Sequence, residues 1–556
     1  MDNDLAGGFS LFGRQLARSV GAAAALTLAG LNLCVAQEPA PSAPSAEQAR
    51  FDVWEYRILG NTVLPKADIE TLLYSNLGPG KTLDDVEKAR LALEAAYRDR
   101  GFGTVFVDIP EQDVGEGVVR LQVTEGKINR VRVTGAKYFS NREIRAAVPA
   151  AAPGSVPHLP TVQQQLSDLN SLTPDRNVAP VLKAGPRPGT VDLGLTVKDE
   201  APFHGSLELN DQYTSNTSEL RAIAALSYDN LFNRLDSLAL QYQTSPEDTS
   251  EVAVWAASYT TRLPDSRSKL ALFYINSDSD IATVGDSGST VTVLGKGKIF
   301  GARYINPFHS SAASTHVFLG SVEYKDFAES VFSEDLLRTP ISYINLSAGH
   351  TSAWRFEKQQ VTLASSMNFG VRGMANSPEE FRDKRARGRP NYWHLRADSS
   401  YSLQLPWKTS LRLRGSGQYA IEPVISNEQF SIAGADGVRG YREAEQLGDI
   451  GFKSSAELAY APIDLFAQRA QAGVFVFYDF GRMSRLEPLR DRQTGELIET
   501  VDQTFRSVGA GFEFNAFGFL SGSLTWAYPL VNTPDWDSGG TQEGDSRIHF
   551  SIRSSW

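Results

Sequence analysis

From residue 201 to the C-terminus, apolar and polar positions alternate with period two in segments of about ten residues separated by polar loops. In SLALQYQT, 237–244, Leu238, Leu240 and Tyr242 fall on one face and Ala239, Gln241 and Gln243 on the other. Segments of this kind lie near residues 203, 219, 235, 251, 269, 297, 314, 341, 359, 391, 408, 450, 472, 505, 518 and 547, sixteen in all. An even number of antiparallel strands lets the first meet the last, so the pattern predicts a closed barrel of 16 strands over 201–556. Alternation alone also fits a soluble sandwich or barrel. The aromatics favour a membrane: Tyr259, Tyr304, Phe308, Tyr401, Trp407, Tyr460, Trp526 and Tyr528 collect near segment ends, where two lipid–water interfaces would hold them.

Residues 51–200 carry a different pattern, and they carry it twice. YRILGNTVLPKADIETLL (56–73) and VRVTGAKYFSNREIRAAV (131–148) align without a gap at an offset of 75, matching Arg57 to Arg132, Gly60 to Gly135 and Ile69 to Ile144. Their later halves agree as well, with VVRLQVTE (118–125) resembling TVDLGLTV (190–197). Each copy reads strand, helix, helix, strand, strand, so two small α+β domains are expected, 51–128 and 129–200. In the first, Thr82 caps a helix with Asp84 and Asp85 in its opening turn; Val86, Ala89, Leu93 and Tyr97 share one face, and Gly101 is the stop. GPGKT (78–82) looks like a phosphate loop, but Ser75 stands where a Walker motif needs its first glycine, and the stretch reads as a helix-entry turn.

The N-terminus changes the setting. Arg14 and Arg18 precede a short apolar run of small residues ending at Cys34-Val35-Ala36, which predicts a signal peptide over 1–36, followed by a Pro/Ala/Ser linker over 37–50. Cleavage would remove Cys34, leaving a mature chain without cysteine. Asp2 and Asp4 cancel the two arginines, so the mature chain keeps the net charge of −11, which argues against nucleic acid as a partner. No later apolar run reaches the roughly 18–20 residues of a spanning helix, so membrane entry would require a closed barrel.

One long loop, 421–449, contains GADGVRGYREAEQLGDIGF (434–452), an arginine among glycines. One strand further on, VFVFYDFG places Val476, Tyr478 and Phe480 on a face suited to lipid, and Phe477, Asp479 and Gly481 on the face that must line the bore. A carboxylate in a partly dewatered bore needs a fixed partner. A guanidinium offers two parallel charged hydrogen bonds that lysine cannot. Arg439 has the chemistry such a carboxylate needs, and Gly434, Gly437 and Gly440 would let a loop fold tightly enough to pass down a bore.

Two strand/helix repeats before a sixteen-strand barrel, with Val438-Arg439-Gly440-Tyr441 in a loop and Phe477-x-Asp479-x-Gly481 in a strand, resemble the outer-membrane superfamily of BamA, TamA and the TpsB pores of two-partner secretion, the ShlB/FhaC/HecB-like haemolysin secretion/activation proteins. The repeats look like POTRA domains, and the last strand, alternating Ile548, Phe550 and Ile552 before Trp556, resembles the terminal signal of bacterial outer-membrane barrels. Two repeats, together with QLGDIGFKSSAELAYAP (446–462), are similar to the TpsB branch. The resemblance implies that the loop folds back into the barrel with Arg439 latched onto Asp479, in an outer-membrane pore with periplasmic POTRA domains, exporting one large TpsA-like exoprotein that folding outside keeps from sliding back. Outer-membrane lipid and the barrel assembly machinery that inserts such barrels are the other implied partners. An assembly factor of the BamA or TamA type shares these motifs and is the alternative.

Many TpsB pores are plugged by an N-terminal helix. The 14 residues of 37–50 reach at most about 50 Å extended, and a plug alone would take about 20 residues. The loop 421–449 is thus expected to close the bore unaided. Neither enzyme activity nor a cofactor is expected: Gly-x-Ser-x-Gly and His-Glu-x-x-His are missing from the sequence, and the seven histidines are scattered singly. NSDSDIATVGDSGS (276–289) resembles a calcium loop, yet Ile281 takes the glycine position and Ser287 the glutamate position, so it reads as a solvated outer loop.

Overall fold

The computed structural model describes residues 49–556 apart from 215–216, 265, 280, 287–288, 329–339, 467–468, 489, 491–493, 498–499 and 535–539. The expected signal peptide and residues 37–48 of the linker, including any plug they could form, lie outside the described residues. The chain divides into two units, ending at Ala201 and beginning at Pro202.

The first unit contains the two repeats. In the first, β2 (Glu55–Leu59), α1 (Lys66–Leu73), α2 (Leu83–Asp99), β4 (Val105–Asp108) and β5 (Val118–Glu125) form a three-stranded sheet, β2-β5-β4, under two helices. The second repeats this with β6 (Lys127–Thr134), α3 (Asn141–Ala146), α4 (Leu159–Asn170), β7 (Arg176–Ala184) and β8 (Thr190–Asp199), in the order β6-β8-β7. The helix α2 buries Val86, Ala89, Leu93 and Tyr97 against Val105, Val107, Val119 and Leu121. Removing one such side chain, as in Leu93→Ala, costs about 2–5 kcal/mol. The aligned glycines play one role in both repeats. Gly60 and Gly135 have φ of +83° and +94°, and a Cβ on either would sit 2.3 Å from a carbonyl oxygen, of Val123 or Val197 respectively. A carboxylate then holds the turn that follows. Glu125 accepts from the Thr62 and Val63 amides, and Asp199 from those of Lys137 and Tyr138.

Two sequence expectations shift here. Gly78–Lys81 forms a short strand, β3, paired with β1 (Phe51–Val53), before Thr82 opens α2; the helix-entry turn is thus a strand, stabilised by a partner 25 or more residues upstream that no local pattern announces. The junction between repeats falls at Gly126, since β6 already opens at Lys127 rather than at 129.

The second unit is a closed antiparallel barrel of sixteen strands among the described residues. These are β9 (Phe203–Asn210), β10 (Arg221–Leu231), β11 (Asp236–Thr244), β12 (Ala253–Arg262), β13 (Lys269–Asp278), β16 (Gly297–Ser310), β17 (Ser314–Phe327), β18 (Ile341–Arg355), β19 (Gln359–Gly370), β20 (Trp393–Leu405), β21 (Thr409–Ala420), β24 (Ile450–Leu465), β25 (Ala470–Ser484), β26 (Asp502–Ala516), β27 (Leu520–Pro529) and β28 (Arg547–Ser555). All sixteen predicted segments correspond to these strands. The ring shuts where β28 pairs with β9, Ile552 opposite Leu209. The supposed calcium loop is a hairpin, β14 (Ile281–Asp286) against β15 (Ser289–Leu294), with Ser287 outside the described residues.

Among the described residues no helix is long and apolar enough to cross a membrane; the closed ring of strands leaves no edge unpaired, as a crossing by strands requires. Outward positions are apolar and exposed, as at Leu240, Leu363, Leu458, Val476 and Leu524, whereas Glu323, Asn345, Gln418, Glu457 and Thr525 are buried. The connections divide into short turns at one end and long loops at the other. Exposed Phe232, Phe308, Phe356, Trp407, Phe466 and Phe517 ring the short-turn end, where an interfacial belt belongs.

Candidate functional site: the arginine loop in the bore

The loop between β21 and β24 folds inward rather than outward. Its stem is a two-rung ladder, β22 (Phe430–Ser431) with β23 (Leu447–Gly448), and its tip is a tight reversal. Gly434 and Gly440 take φ of +117° and +92°, values that side chains oppose; Gly437 packs so closely that a Cβ would lie 2.0 Å from the Ile432 carbonyl oxygen. The reversal turns Ile432, Val438 and Tyr441 inward against Met483 and Phe505 of the wall, a small apolar core inside the bore.

Arg439 projects from this tip and is only 6% exposed. Its Nε donates to Asp479 Oδ2 at 2.7 Å and one Nη to Oδ1 at 2.8 Å, while its backbone N–H reaches Oδ2 at 3.1 Å. The other Nη donates to Glu457 Oε1 at 2.8 Å, and Ser455 Oγ accepts at 2.9 Å. The guanidinium lies over the Phe477 ring, 3.5 Å from its centroid. Asp479 is fully buried and Glu457 nearly so. Glu457 is shared with Arg414 at 2.7 Å. Charges of both signs are thus closely matched. That matters because either ion alone in this environment would carry several kcal/mol of unpaid desolvation.

The strand periodicity explains the geometry. On β25, Val476 and Tyr478 are 54% and 44% exposed on the lipid side, whereas Phe477, Asp479 and Gly481 face in. Cross-strand pairing sets Ser455 opposite Asp479 and Glu457 opposite Phe477, so one patch of β24 and β25 supplies every partner of the guanidinium. At Gly481 a Cβ would come within 2.2 Å of Ile432 Cγ2 and 2.9 Å of Val438 Cγ2; the missing side chain is the space the loop occupies. The Tyr441 hydroxyl lies 2.9 Å from the carbonyls of both Arg506 and Val531, and its ring meets Phe505 edge-on.

Several contributors were not singled out from sequence. Gly440 donates its N–H to His549 Nε2 at 3.0 Å, which leaves Nδ1 to donate to Asp211 at 2.8 Å. Ser455 and Glu457 stood in plain view within GFKSSAELAYAP, two apart on an alternating strand one step from Asp479, and that spacing was the available signal. Asp449, in the Gly-Asp-x-Gly stretch, accepts from the Val424 and Leu486 amides and from Arg385, tying the foot of the loop to its neighbours. His549 and Asp211 are 338 residues apart and carried no such signal.

The family profile described as "Haemolysin secretion/activation protein ShlB/FhaC/HecB" matches residues 189–501, more than half of the chain. The chain belongs to the ShlB/FhaC/HecB family. Residues 51–126 match a second profile, "POTRA domain, ShlB-type". The ShlB/FhaC/HecB assignment agrees with curated relatives. The outer membrane transporter CdiB of Dickeya dadantii is 24% identical over 434 residues, spanning 75% of this chain and 74% of its own. The heme/hemopexin transporter protein HuxB of Haemophilus influenzae (strain 86-028NP) is 20% identical over 502 residues, spanning 88% and 85%. Among solved structures, CdiB from Escherichia coli superposes with a TM-score of 0.59 at 19% identity, covering 93% of this chain and 92% of its own. BamA from Haemophilus ducreyi lacking POTRA domains 1–3 gives 0.54 at 14%, covering 91% of this chain and 100% of its own, and so shares the fold. As a ShlB/FhaC/HecB protein, the chain is an outer-membrane transporter whose POTRA domains lie in the periplasm.

Proposed function

We propose that this protein is the pore of a two-partner secretion pair, exporting one large secreted polypeptide across the outer membrane, and that the loop 421–449 is its closing element. The observation that carries the reading is the Arg439–Asp479 pair. A fully buried carboxylate on the bore wall, gripped by a guanidinium from an inward-folded loop, is an obstruction with a defined point of release. The client arrives extended. Each POTRA sheet leaves its outer strands free at the edge, β6 and β7 in the second repeat, so a strand can be added through main-chain bonds with little demand on sequence. In this reading the second repeat does most of the capture, and the protein performs no covalent chemistry on its client.

The test is a secretion assay. Culture fluid from cells with and without the protein is compared, and loss of a single large polypeptide with an unchanged outer-membrane protein profile is expected. A broad fall in outer-membrane barrels would instead identify an assembly factor and overturn the proposal.

A further inference from the structure

The loop touches the wall in a second place, eleven residues before Arg439. Glu428, in a short helical turn (Ser426–Glu428) on the ascending side, is 2% exposed. Its Oε1 accepts from Lys325 Nζ at 2.7 Å and from the Tyr343 hydroxyl at 2.6 Å, and its Oε2 lies 3.3 Å from His394 Nε2. Its backbone carbonyl accepts from Gln418 Nε2 at 3.0 Å and from Arg396 at 3.3 Å. Lys325 belongs to β17, Tyr343 to β18 and His394 to β20, none of which is joined covalently to the loop.

The position of these strands in the ring gives the contact its meaning. Counting round from β10, β18 stands seventh and β28 fifteenth, so eight places, half of the sixteen-strand ring, separate them. Glu428 holds β18 through Tyr343 while Gly440, beside Arg439, holds β28 through His549. The loop therefore crosses the bore from one wall to the opposite one. A flap fixed at one end could swing aside with the loss of that contact alone, whereas a strut fixed at both ends blocks both halves of the bore.

We propose that Glu428 is a positioning residue for closure, bracing the loop against β17, β18 and β20, across the bore from the Gly440–His549 contact on β28. Glu428 and the Arg439–Gly440 tip thus act as the two ends of a strut. The proposal rests on the loop being the closing element, but not on any client.

The experiment uses the full mature chain, purified in detergent and reconstituted in planar bilayers without a client. Glu428→Ala is expected to raise mean conductance at least twofold and to increase the frequency of open transitions. Glu428→Gln, which keeps acceptors for Tyr343 and Lys325, is expected to fall between Glu428→Ala and wild type. Combining Glu428→Ala with Arg439→Ala is expected to open the pore beyond either single change. Lys325 is not stranded by these changes, because Glu323 lies 3.5 Å away. A wild-type conductance for Glu428→Ala, with the folded barrel verified by its heat-modifiable gel mobility, would overturn the proposal. So would loss of that mobility in both the Ala and Gln variants, which would make Glu428 a folding element. If the secretion reading fails, the missing client polypeptide is not found while the bilayer result stands, so the two failures are separable.

Discussion

Arg439 gives Asp479 three hydrogen bonds, two from the guanidinium to the two carboxylate oxygens and one from its own backbone N–H. The third bond fixes the tip backbone as well as the side chain, so the carboxylate positions the whole reversal and not only its arginine.

Breaking this pair from the loop side leaves Asp479 buried without its charge partner, at a cost of about 3–5 kcal/mol to the docked loop. Arg439→Ala is expected to give a folded barrel with raised conductance and reduced export. Arg439→Lys is expected to recover little, because an ammonium cannot reach both Asp479 oxygens and Glu457 at once. In a double-mutant cycle, Asp479→Asn is expected to add much less on top of Arg439→Ala than it costs alone. Strictly additive conductance changes would show that the two residues do not act as a pair.

Sterics offer an independent test that leaves every charge in place. Gly481→Val would put side-chain atoms where Ile432 and Val438 now sit. The loop is expected to be displaced although Arg439, Asp479 and Glu457 are intact. Protease sensitivity of the loop tip in detergent should rise, and an unchanged cleavage pattern would count against the packing described.

The Gly440 amide depends on His549 as its acceptor, and leaving such a buried N–H unsatisfied costs about 1–3 kcal/mol. His549→Ala is expected to weaken closure less than Arg439→Ala and to be seen as faster current fluctuation rather than as a permanently open pore. Equal or greater opening than in Arg439→Ala would reverse that ranking.

In the first repeat, Asp85 accepts from the Thr82 amide and hydroxyl at 3.1 and 3.0 Å and from Lys88. The Thr82 amide, then Lys88 and the Thr82 hydroxyl, pull its carboxyl from 3.8 down to about 2. Because the folded value is the lower one, the support is complete above pH 3.8 and is lost as pH falls through about 2. Amide exchange in the first turn of α2 in the full protein, normalised for intrinsic rates, is expected to accelerate between pH 5 and pH 2. Asp85→Ala is expected to show the faster exchange at both, and a pH-dependent difference persisting in that variant would assign the effect to another group.

The parts that were readable from the sequence have local periodicity behind them. A strand repeats every two residues and a helix every 3.6, so Val476 and Tyr478 could be separated from Phe477 and Asp479, and Val86, Ala89, Leu93 and Tyr97 gathered on one face, without any knowledge of neighbours. The β1–β3 pairing was missed because Gly78–Lys81 has no apolar pattern of its own and becomes a strand only through a partner. For Glu457 the one local signal was its spacing from Ser455 on an alternating strand, which puts both on the bore face but does not say that they share the guanidinium.

Amino-acid order thus determined the number of strands, which residues face the bore, the duplicated fold with its glycine turns, and the chemical match between one arginine and one aspartate. Only the closed ring decided who stands across from whom. Closure brings β28 beside β9, joining His549 to Asp211, and sets β18 half a circumference from β28, so that Glu428 and Gly440 hold opposite walls. Periodicity acts over a few residues and assigns a face, whereas a diametral contact depends on the circumference of the whole sheet, which no short segment contains.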